Sequence, residues 1–159
     1  MSVVLYRVDE RLIHGQVVVG WARRLAPRRI IVVDDELADD ALEQSIYRTG
    51  LPGEIRSDFW STAEAVERLP AVEASDEPAF VLTASLGAMA RLAQNGVAVE
   101  EVNVGGIHRG EGRKQVLPYL NLGPEEERLI ELLERSGVRV VACDVPTGTP
   151  VRLIERERG

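Results

Sequence analysis

Short apolar runs alternate with amphipathic helical segments along the whole chain, and this alternation restricts the fold more than any other feature. The apolar runs cover residues 3–6, 30–33, 55–60, 79–82, 102–104 and 138–143. Continuous apolar runs of this length are typical of strands that are covered on both faces, as in a parallel sheet. Strands that alternate with helices imply βαβ crossovers. The sequence therefore predicts an α/β fold, with an open, mainly parallel sheet of about six to seven strands and helices on both faces.

Local signals mark the predicted helices and the connections between them. The first helix is an amphipathic α-helix over 17–25, and the second carries Leu42 and Ile46 on its apolar stripe. Residues 61–64 have the spacing of a capping box, which predicts the start of a third helix. The acidic segment 70–78 contains two prolines and is interpreted as a surface connection.

Composition and charge exclude several classes of protein. With 159 residues and 45% hydrophobic content, the chain is long enough for one domain with a real core, so residues 1–159 are expected to form a single domain. No apolar stretch approaches the roughly 20 residues of a membrane span, and the start of the chain lacks a signal-peptide pattern. We therefore expect a cytoplasmic protein that does not itself span the membrane. The net charge of −7 disfavours nucleic acid as a partner, and the lone Cys143 is expected in the core.

Positive charge is concentrated in a few places in this acidic chain. Cations gather at Arg7 and Arg11, along 23–29, and again between Arg109 and Lys114. Such patches suit docking to an acidic protein or binding of a small anion, and we assign Arg113 and Lys114 to partner docking. For any single arginine, an ordinary solvated position is the simpler interpretation.

His14 lies in the segment most indicative of function, between the first predicted strand and the first helix. Backbone N–H groups and the positive end of the helix dipole favour negative charge at such a turn. A neutral imidazole is a good nucleophile towards phosphorus near physiological pH, and the protein then needs chiefly to position the phosphoryl group and neutralise its charge. His14 is therefore the candidate nucleophile of a phosphoryl transfer, and Arg11 is the candidate for stabilising the phosphate.

Four neighbours of His14 are candidates for binding or orienting a phosphate. Gly15 lacks a Cβ that would block the approach of a partner, and the N–H groups around Gly15 and Gln16 are expected to form an anion nest. Arg7 is a second candidate cation. Asp9 could hold an arginine or fix the tautomer of the imidazole. A carboxylate that caps the turn by accepting from backbone N–H groups is an equally good interpretation of Asp9.

Other chemistries find less support in the sequence. Two histidines and one cysteine make a metal site hard to build, and no glycine motif for nucleotide phosphates follows the first strand, so we expect neither a metal nor a cofactor. The Gly-rich segment 105–114 follows another predicted strand. Because parallel strands end at the same sheet edge, this segment is expected to face the His14 turn across one crevice. His108 within it is interpreted as an exposed histidine outside the chemistry.

The run RVDERLIHGQVVVGW, residues 7–21, is a specific motif. It resembles the first active-site loop of the enzyme IIB components of the mannose/fructose/sorbose family of the bacterial phosphoenolpyruvate-dependent sugar phosphotransferase system (PTS). Further counterparts are IIVVDDELADD at 30–40, EVNVGGIHRGEGRKQ at 101–115 and the closing Val145-Pro146-Thr147. The similarity extends over nearly the whole chain, and it implies an open, mainly parallel sheet with helices on both faces.

The resemblance also implies a function as a phosphotransferase subunit. His14 would accept a phosphoryl group from a histidine of the IIA component and pass it to a sugar at the membrane components IIC and IID. Arg11 matches the loop arginine that is expected to stabilise the transferring phosphate. Two other functions stay open, namely a regulatory phosphoacceptor of an incomplete PTS without transport and a small-anion-binding α/β domain. The identity of the sugar and the choice between a monomer and a homodimer leave no signature in the sequence.

Overall fold

The computed structural model of the chain describes residues 2–154, except for the side chains of Gln16 and Val18. Within these residues the strands of the main sheet are β1 (Val3–Val8), β2 (Arg29–Val33), β3 (Arg56–Trp60), β4 (Ala79–Thr83), β5 (Glu101–Val104), β8 (Arg139–Ala142) and β9 (Val151–Arg152). Their spatial order is β3-β2-β4-β1-β5-β8-β9. A separate antiparallel hairpin consists of β6 (Lys114–Leu117) and β7 (Leu120–Leu122).

Helices connect these strands and lie on both faces of the sheet. In the described part of the chain they are α1, wound as a π-helix over Gln16–Ala22 and as an α-helix over Arg23–Leu25, α2 (Ala41–Thr49), α3 (Thr62–Ala74), α4 (Leu86–Gln94) and α5 (Pro124–Arg135). A short 3₁₀ turn, Leu37–Asp39, precedes α2. None of the helices between residues 2 and 154 is both long enough and apolar enough to cross a bilayer.

The central strand β1 is parallel to both of its neighbours, β4 and β5, whereas β9 is antiparallel to β8. Val8 at the end of β1 pairs with Thr83 on one side and with Val104 on the other. The carboxyl ends of these three strands are therefore side by side, and the loops that follow them meet at one edge of the sheet. Ligands of open α/β sheets usually bind at this edge. The predicted α/β class is confirmed.

Alternate residues of the strands pack into two cores on opposite faces of the sheet. In β2, Ile31 and Val33 belong to the core that α3, α4 and α5 cover, whereas Ile30 and Val32 belong to the core that α1 covers. Because both faces are covered, the strands read as continuous apolar runs in the sequence. Cys143 is buried in the second core, as expected.

The first helix differs from the prediction, because most of it has the wide turns of a π-helix and not those of an α-helix. In this conformation the indole Nε1 of Trp21 donates to the carbonyl of Asp144 at 3.0 Å. Gly20 packs closely on the same loop, since a Cβ built on it would lie 3.2 Å from Cδ of Pro146. The wide turns therefore occur where the helix contacts a loop more than a hundred residues away. An apolar pattern within the helix cannot predict them, because it carries no information about that loop.

Two further predictions about helices are wrong in detail. Segment 70–78 is not a connection throughout, because α3 continues past Pro70 to Ala74; burial of Leu69 and Val72 against the sheet outweighs the lost N–H of the proline. The apolar stripe of α2 faces solvent, with Leu42 72% and Ile46 56% exposed. The other side of α2 is held to the 3₁₀ turn and the sheet by polar contacts and by a single tyrosine ring.

Candidate functional site

The turn after β1 begins at Asp9 and returns the chain towards the end of the strand. The backbone N–H of Asp9 donates to the carbonyl of Thr83 at 3.0 Å, and the N–H of Leu12 donates to the carbonyl of Asp9 at 2.9 Å. Leu12 has the left-handed conformation, with φ of 56°, and its side chain is buried. A leucine in this region is strained, so the surrounding contacts must hold the turn. The turn brings His14 back to Asp9.

The carboxylate of Asp9 is the centre of the site. Its Oδ1 accepts from the backbone N–H of Arg11 at 3.0 Å and from Nε of Arg11 at 3.1 Å. Its Oδ2 lies 3.2 Å from Nη2 of Arg7, 3.2 Å from Nη2 of Arg11 and 3.0 Å from Nε2 of His14. Both interpretations of Asp9 hold at once, because the carboxylate caps the turn and also contacts two arginines and the imidazole.

Asp9 remains ionised in spite of its burial. Burial by itself would raise the pKa of Asp9, but the hydrogen bonds from His14 and Arg11 and the charge of Arg7 outweigh it and hold that pKa well below its usual range. The site therefore contains a fixed negative charge between three basic side chains.

Arg7 is a fully buried cation, so an ordinary solvated position is the wrong interpretation for this arginine. Its guanidinium donates to the side-chain oxygen of Asn103 and to the carbonyls of Cys143, at 2.8 Å, and Asp144, at 3.1 Å. The ring of Trp21 packs on it, with the guanidinium carbon 5.2 Å from the ring centroid. Arg7 thus contacts the carboxylate of Asp9 from its buried side, which a molecule arriving from solvent does not reach.

His14 and Arg11 lie between this buried charge and solvent. The side chain of Asp9 is 1% exposed, whereas those of His14 and Arg11 are 15% and 39% exposed. Because Nη2 of Arg11 and Nε2 of His14 contact the same carboxylate oxygen, the guanidinium and the imidazole are neighbours. The ionised carboxylate favours the tautomer that carries its proton on Nε2, and in this tautomer the lone pair is on Nδ1.

The Gly-rich segment after β5 lies against the His14 turn, as expected. The backbone N–H of Glu10 donates to the carbonyl of Gly106 at 3.0 Å. A Cβ built on Gly105 would overlap the guanidinium of Arg7 and lie 2.8 Å from Oδ2 of Asp9, and one on Gly106 would lie 3.3 Å from Oδ1. The two glycines therefore let the backbone of this segment approach the charged cluster closely.

Gly15 is the N-cap residue of α1, and nothing in its surroundings demands a glycine. It is exposed, its φ of −51° and ψ of −42° are helical, and a Cβ built on it would meet no atom within 4 Å. The predicted role of Gly15, to let a partner approach His14, stays a prediction. Gln16 is the next residue of the helix. Its side chain lies outside the part of the chain that the structure describes, and its role in binding a phosphate stays a prediction.

The remaining sequence-selected side chains belong to the Gly-rich segment and the hairpin. Arg113 contacts Glu10 at 3.1 Å and Glu126 at 3.0 Å, so its guanidinium is engaged within the chain. Lys114, at the start of β6, is exposed. His108 is also exposed, with its Nδ1 3.3 Å from a carboxylate oxygen of Glu10. The docking roles of Arg113 and Lys114 stay predictions.

Metal binding finds no candidate site in the part of the chain that the structure describes, because no group of three or more His, Cys, Asp or Glu side chains is arranged to hold an ion. What the arrangement offers instead is an imidazole oriented by a carboxylate, next to a partly exposed guanidinium. These groups suit attack on an electrophile that carries negative charge, such as a phosphoryl group.

Comparison with known proteins identifies the family. Residues 3–155 match the family model of the PTS system sorbose subfamily IIB component. The chain belongs to this family. It is 30% identical over 155 residues to the N-acetylgalactosamine-specific phosphotransferase enzyme IIB component 2 of Escherichia coli K12, a match that covers 97% of this chain and 98% of that relative. The resemblance seen in the sequence, to IIB components of the mannose/fructose/sorbose family, is confirmed.

Two further relatives are similar to this chain over nearly its whole length. The crystal structure of the IIBSor domain of the sorbose permease from Klebsiella pneumoniae is similar to this IIB component with a TM-score of 0.90 and 26% identity, covering 99% of this chain and 97% of that chain. The PTS system mannose-specific EIIAB component of Escherichia coli K12 is 26% identical over 155 residues, which cover 98% of this chain and 48% of that longer relative.

Sequence reasoning missed several residues that build the site of this IIB component. Asn103 is the one polar residue in the apolar run 102–104, and that position is a signal that could have drawn attention to it. Trp21 lies in the amphipathic helix that the sequence predicts over 17–25, and its ring also contacts the guanidinium of Arg7. Glu10 carries no local signal, because its contacts involve a distant segment, and Gly105 is indicated only as part of the Gly-rich segment.

Proposed function

We propose that this IIB component is a phosphocarrier, which accepts a phosphoryl group on His14 from a IIA component and passes it to a sugar at the membrane components IIC and IID. The observation that carries the proposal is the 3.0 Å contact between Nε2 of His14 and the buried carboxylate of Asp9. This contact favours a lone pair on Nδ1, and Nδ1 is the nucleophile of the proposal.

In the proposed step, Nδ1 of His14 forms a bond to phosphorus while the N–P bond of the donor phosphohistidine breaks. The electron pair of that bond returns to the donor imidazole. The ring of His14 gains positive charge, which the carboxylate of Asp9 stabilises through the proton that stays on Nε2. Arg11 and the N–H groups around Gly15 and Gln16 neutralise the oxygens of the phosphoryl group in flight. Both bonds are of the same kind, so the transfer is readily reversible.

The family supports the proposed partners. One relative is named a mannose-specific EIIAB component, and this chain matches 48% of it, which favours a IIA protein as the phosphoryl donor. The names of other relatives specify N-acetylgalactosamine or sorbose, which favours a sugar as the final acceptor. We infer that residues 1–159 act as one IIB domain on the cytoplasmic side of the membrane.

Phosphorylation of His14 tests the proposal directly. Incubation with a phosphorylated IIA protein of the mannose/fructose/sorbose family should give an acid-labile, alkali-stable phosphate on this IIB component. His14→Ala should take up no phosphate, whereas His108→Ala should label like the wild type. Nuclear magnetic resonance of the labelled chain should place phosphorus on Nδ1. Undiminished labelling of His14→Ala would contradict the proposal.

Arg11→Ala should slow the transfer much more than it destabilises the fold. We expect a loss of about a hundredfold in rate, because a cation next to the transferring group is removed. The free energy of unfolding should fall by about 1 kcal/mol or less, since the ion pair of Arg11 with Asp9 is partly exposed and screened by solvent. Rapid-quench kinetics and urea unfolding measure the two effects, with the exposed Arg24→Ala as control. A large loss of stability together with a small loss of rate would make Arg11 a structural residue.

Gly15→Ala should leave the fold intact and slow the transfer. The added methyl group enters open space in a helical backbone, so the free energy of unfolding should change by less than about 1 kcal/mol. The rate of labelling should fall about tenfold or more, because the methyl group displaces the incoming phosphoryl group from His14. Gly53→Ala is the matched control, since a Cβ at that glycine also meets no atom within 4 Å. Labelling of Gly15→Ala at the wild-type rate would show that the partner needs no close approach here.

A further inference from the structure

Glu10 ties the His14 turn to a segment that is distant in sequence. Its Oε1 accepts from the backbone N–H of His108, 98 residues away, at 3.1 Å and from Nη1 of Arg113 at 3.1 Å. Its Oε2 lies 3.3 Å from Nδ1 of the same histidine. The backbone N–H of Glu10 also donates to the carbonyl of Gly106. Both the main chain and the side chain of Glu10 therefore hold the Gly-rich segment.

Arg113 extends this connection to the start of α5. Its Nε donates to Oε1 of Glu126 at 3.0 Å, and the same oxygen accepts from the backbone N–H of Gly123 at 2.8 Å. Its Nη1 also donates to the carbonyl of His108 at 3.0 Å. Hydrogen bonds between charged groups are stronger than neutral ones, and here they link the turn, the segment and a helix whose inner side is in the core.

Asp9 and Glu10 are neighbours in the chain, and their side chains contact different parts of the molecule. The side chain of Asp9 contacts the imidazole of His14 and the arginines, whereas that of Glu10 contacts the Gly-rich segment. Two residues after Glu10, Leu12 is held in a left-handed conformation that is strained for a leucine. A strained turn keeps its shape only if contacts on more than one side fix it, and Glu10 supplies the contacts on the side away from Asp9.

We propose that Glu10 is a positioning residue for phosphoryl transfer. Through Arg113 and Glu126 it fixes the turn in the orientation in which the carboxylate of Asp9 meets Nε2 of His14. The inference rests on the function proposed above, and it adds a residue that touches neither the phosphoryl group nor the imidazole that receives it.

Glu10→Gln tests the inference, because it removes the charge and keeps the size of the side chain. We expect the rate constant at saturating phosphorylated IIA to fall about tenfold or more, as the imidazole loses its orientation. The IIA concentration that gives half of that rate should stay within about twofold, since no docking contact is removed. Arg113→Gln should lower the rate constant at saturation likewise, and the double variant should have no lower rate constant than either single one, because all three break the same link.

Glu111→Gln is the matched control. It makes the same change of charge at an exposed carboxylate of the same segment, and it should transfer at the wild-type rate. If Glu10→Gln does not fold, Arg113→Gln gives the same test.

The ¹⁵N signals of the His14 ring in the unphosphorylated protein supply a second readout. In the wild type and in Glu111→Gln they should report one tautomer with the proton on Nε2, and in Glu10→Gln they should move towards an average of tautomers. The inference requires both the slower transfer and the changed ring signals, and any other combination overturns it, including a change in half-saturation alone. If the wild type accepts no phosphoryl group at all, the proposed function fails and the inference fails with it, whereas a wild type that accepts the group and a Glu10→Gln variant that transfers it at the same rate overturn the inference alone.

Discussion

Asp9→Asn is expected to abolish most of the phosphoryl transfer and to destabilise the protein at the same time. The buried guanidinium of Arg7 would lose its counter-charge, and removal of one partner from a buried ion pair costs about 3–5 kcal/mol. An amide can also donate to Nε2 of His14 and so favour the tautomer whose lone pair is not on Nδ1. Where a carboxylate orients a reactive histidine in an enzyme, the same change lowers the rate by up to about 10⁴-fold.

Urea unfolding and rapid-quench labelling separate the two effects of Asp9→Asn. We expect a loss of about a hundredfold or more in the rate constant and a clearly lower urea midpoint. Asp76→Asn, at an exposed aspartate, should match the wild type in both measurements. A variant that labels normally would remove Asp9 from the mechanism. A variant that is fully stable would show that Arg7 needs no ionised partner.

The pH dependence of stability tests whether Asp9 is ionised in the folded protein. Because the folded-state pKa of Asp9 is lowered, its contribution is present above its unfolded pKa of about 3.9 and is lost as the pH falls towards the folded value. The difference in unfolding free energy between the wild type and Asp9→Asn should therefore be constant above about pH 5 and smaller by about 1 kcal/mol at pH 3. A difference that grows on acidification would contradict an ionised Asp9.

The parts of the fold that are encoded locally are those that the sequence predicts well. Alternating apolar runs are enough for the parallel sheet, because each strand is covered on both faces. Ser61 and Glu64 form the capping box that their spacing indicates, since both partners lie within one helical turn. The contact of the His14 turn with the Gly-rich segment also follows from the rule that parallel strands end at one edge.

The parts that depend on distant contacts are those that the sequence does not reveal. Arg7 reads as a surface cation, yet its partners Asn103 and Cys143 lie 96 and 136 residues away. The strands of the hairpin and β9 are not predicted because each has only two to four residues. The residues of β6 and β9 are also not fully buried, so these two strands lack an apolar pattern, whereas β7 is buried but has only three residues. The chemistry of the site is thus visible in the motif, whereas the buried charges that orient it are not.

Gly105→Ala should have the second large effect, although the backbone of Gly105 is not in the left-handed region that favours glycine. Its added Cβ would overlap the guanidinium of Arg7 and press on the carboxylate of Asp9. Neither group can move easily, because the guanidinium is held by two backbone carbonyls and by the ring of Trp21. We expect a loss of about 1–3 kcal/mol in unfolding free energy from overpacking, and a slower transfer because the carboxylate is displaced from Nε2 of His14.

Gly106→Ala provides a graded comparison for this prediction. A Cβ at Gly106 would lie 3.3 Å from Nη2 of Arg11 and 3.3 Å from Oδ1 of Asp9, which is a looser fit than the overlap at Gly105, and the partly exposed side chain of Arg11 can shift. It should therefore destabilise less than Gly105→Ala, and the difference should appear in the urea midpoint and in the labelling rate alike. Equal effects would mean that steric pressure is relieved equally well at both places. In that case the groups that contact Arg7 would be able to shift, and the orientation of Asp9 would not depend on rigid buried contacts.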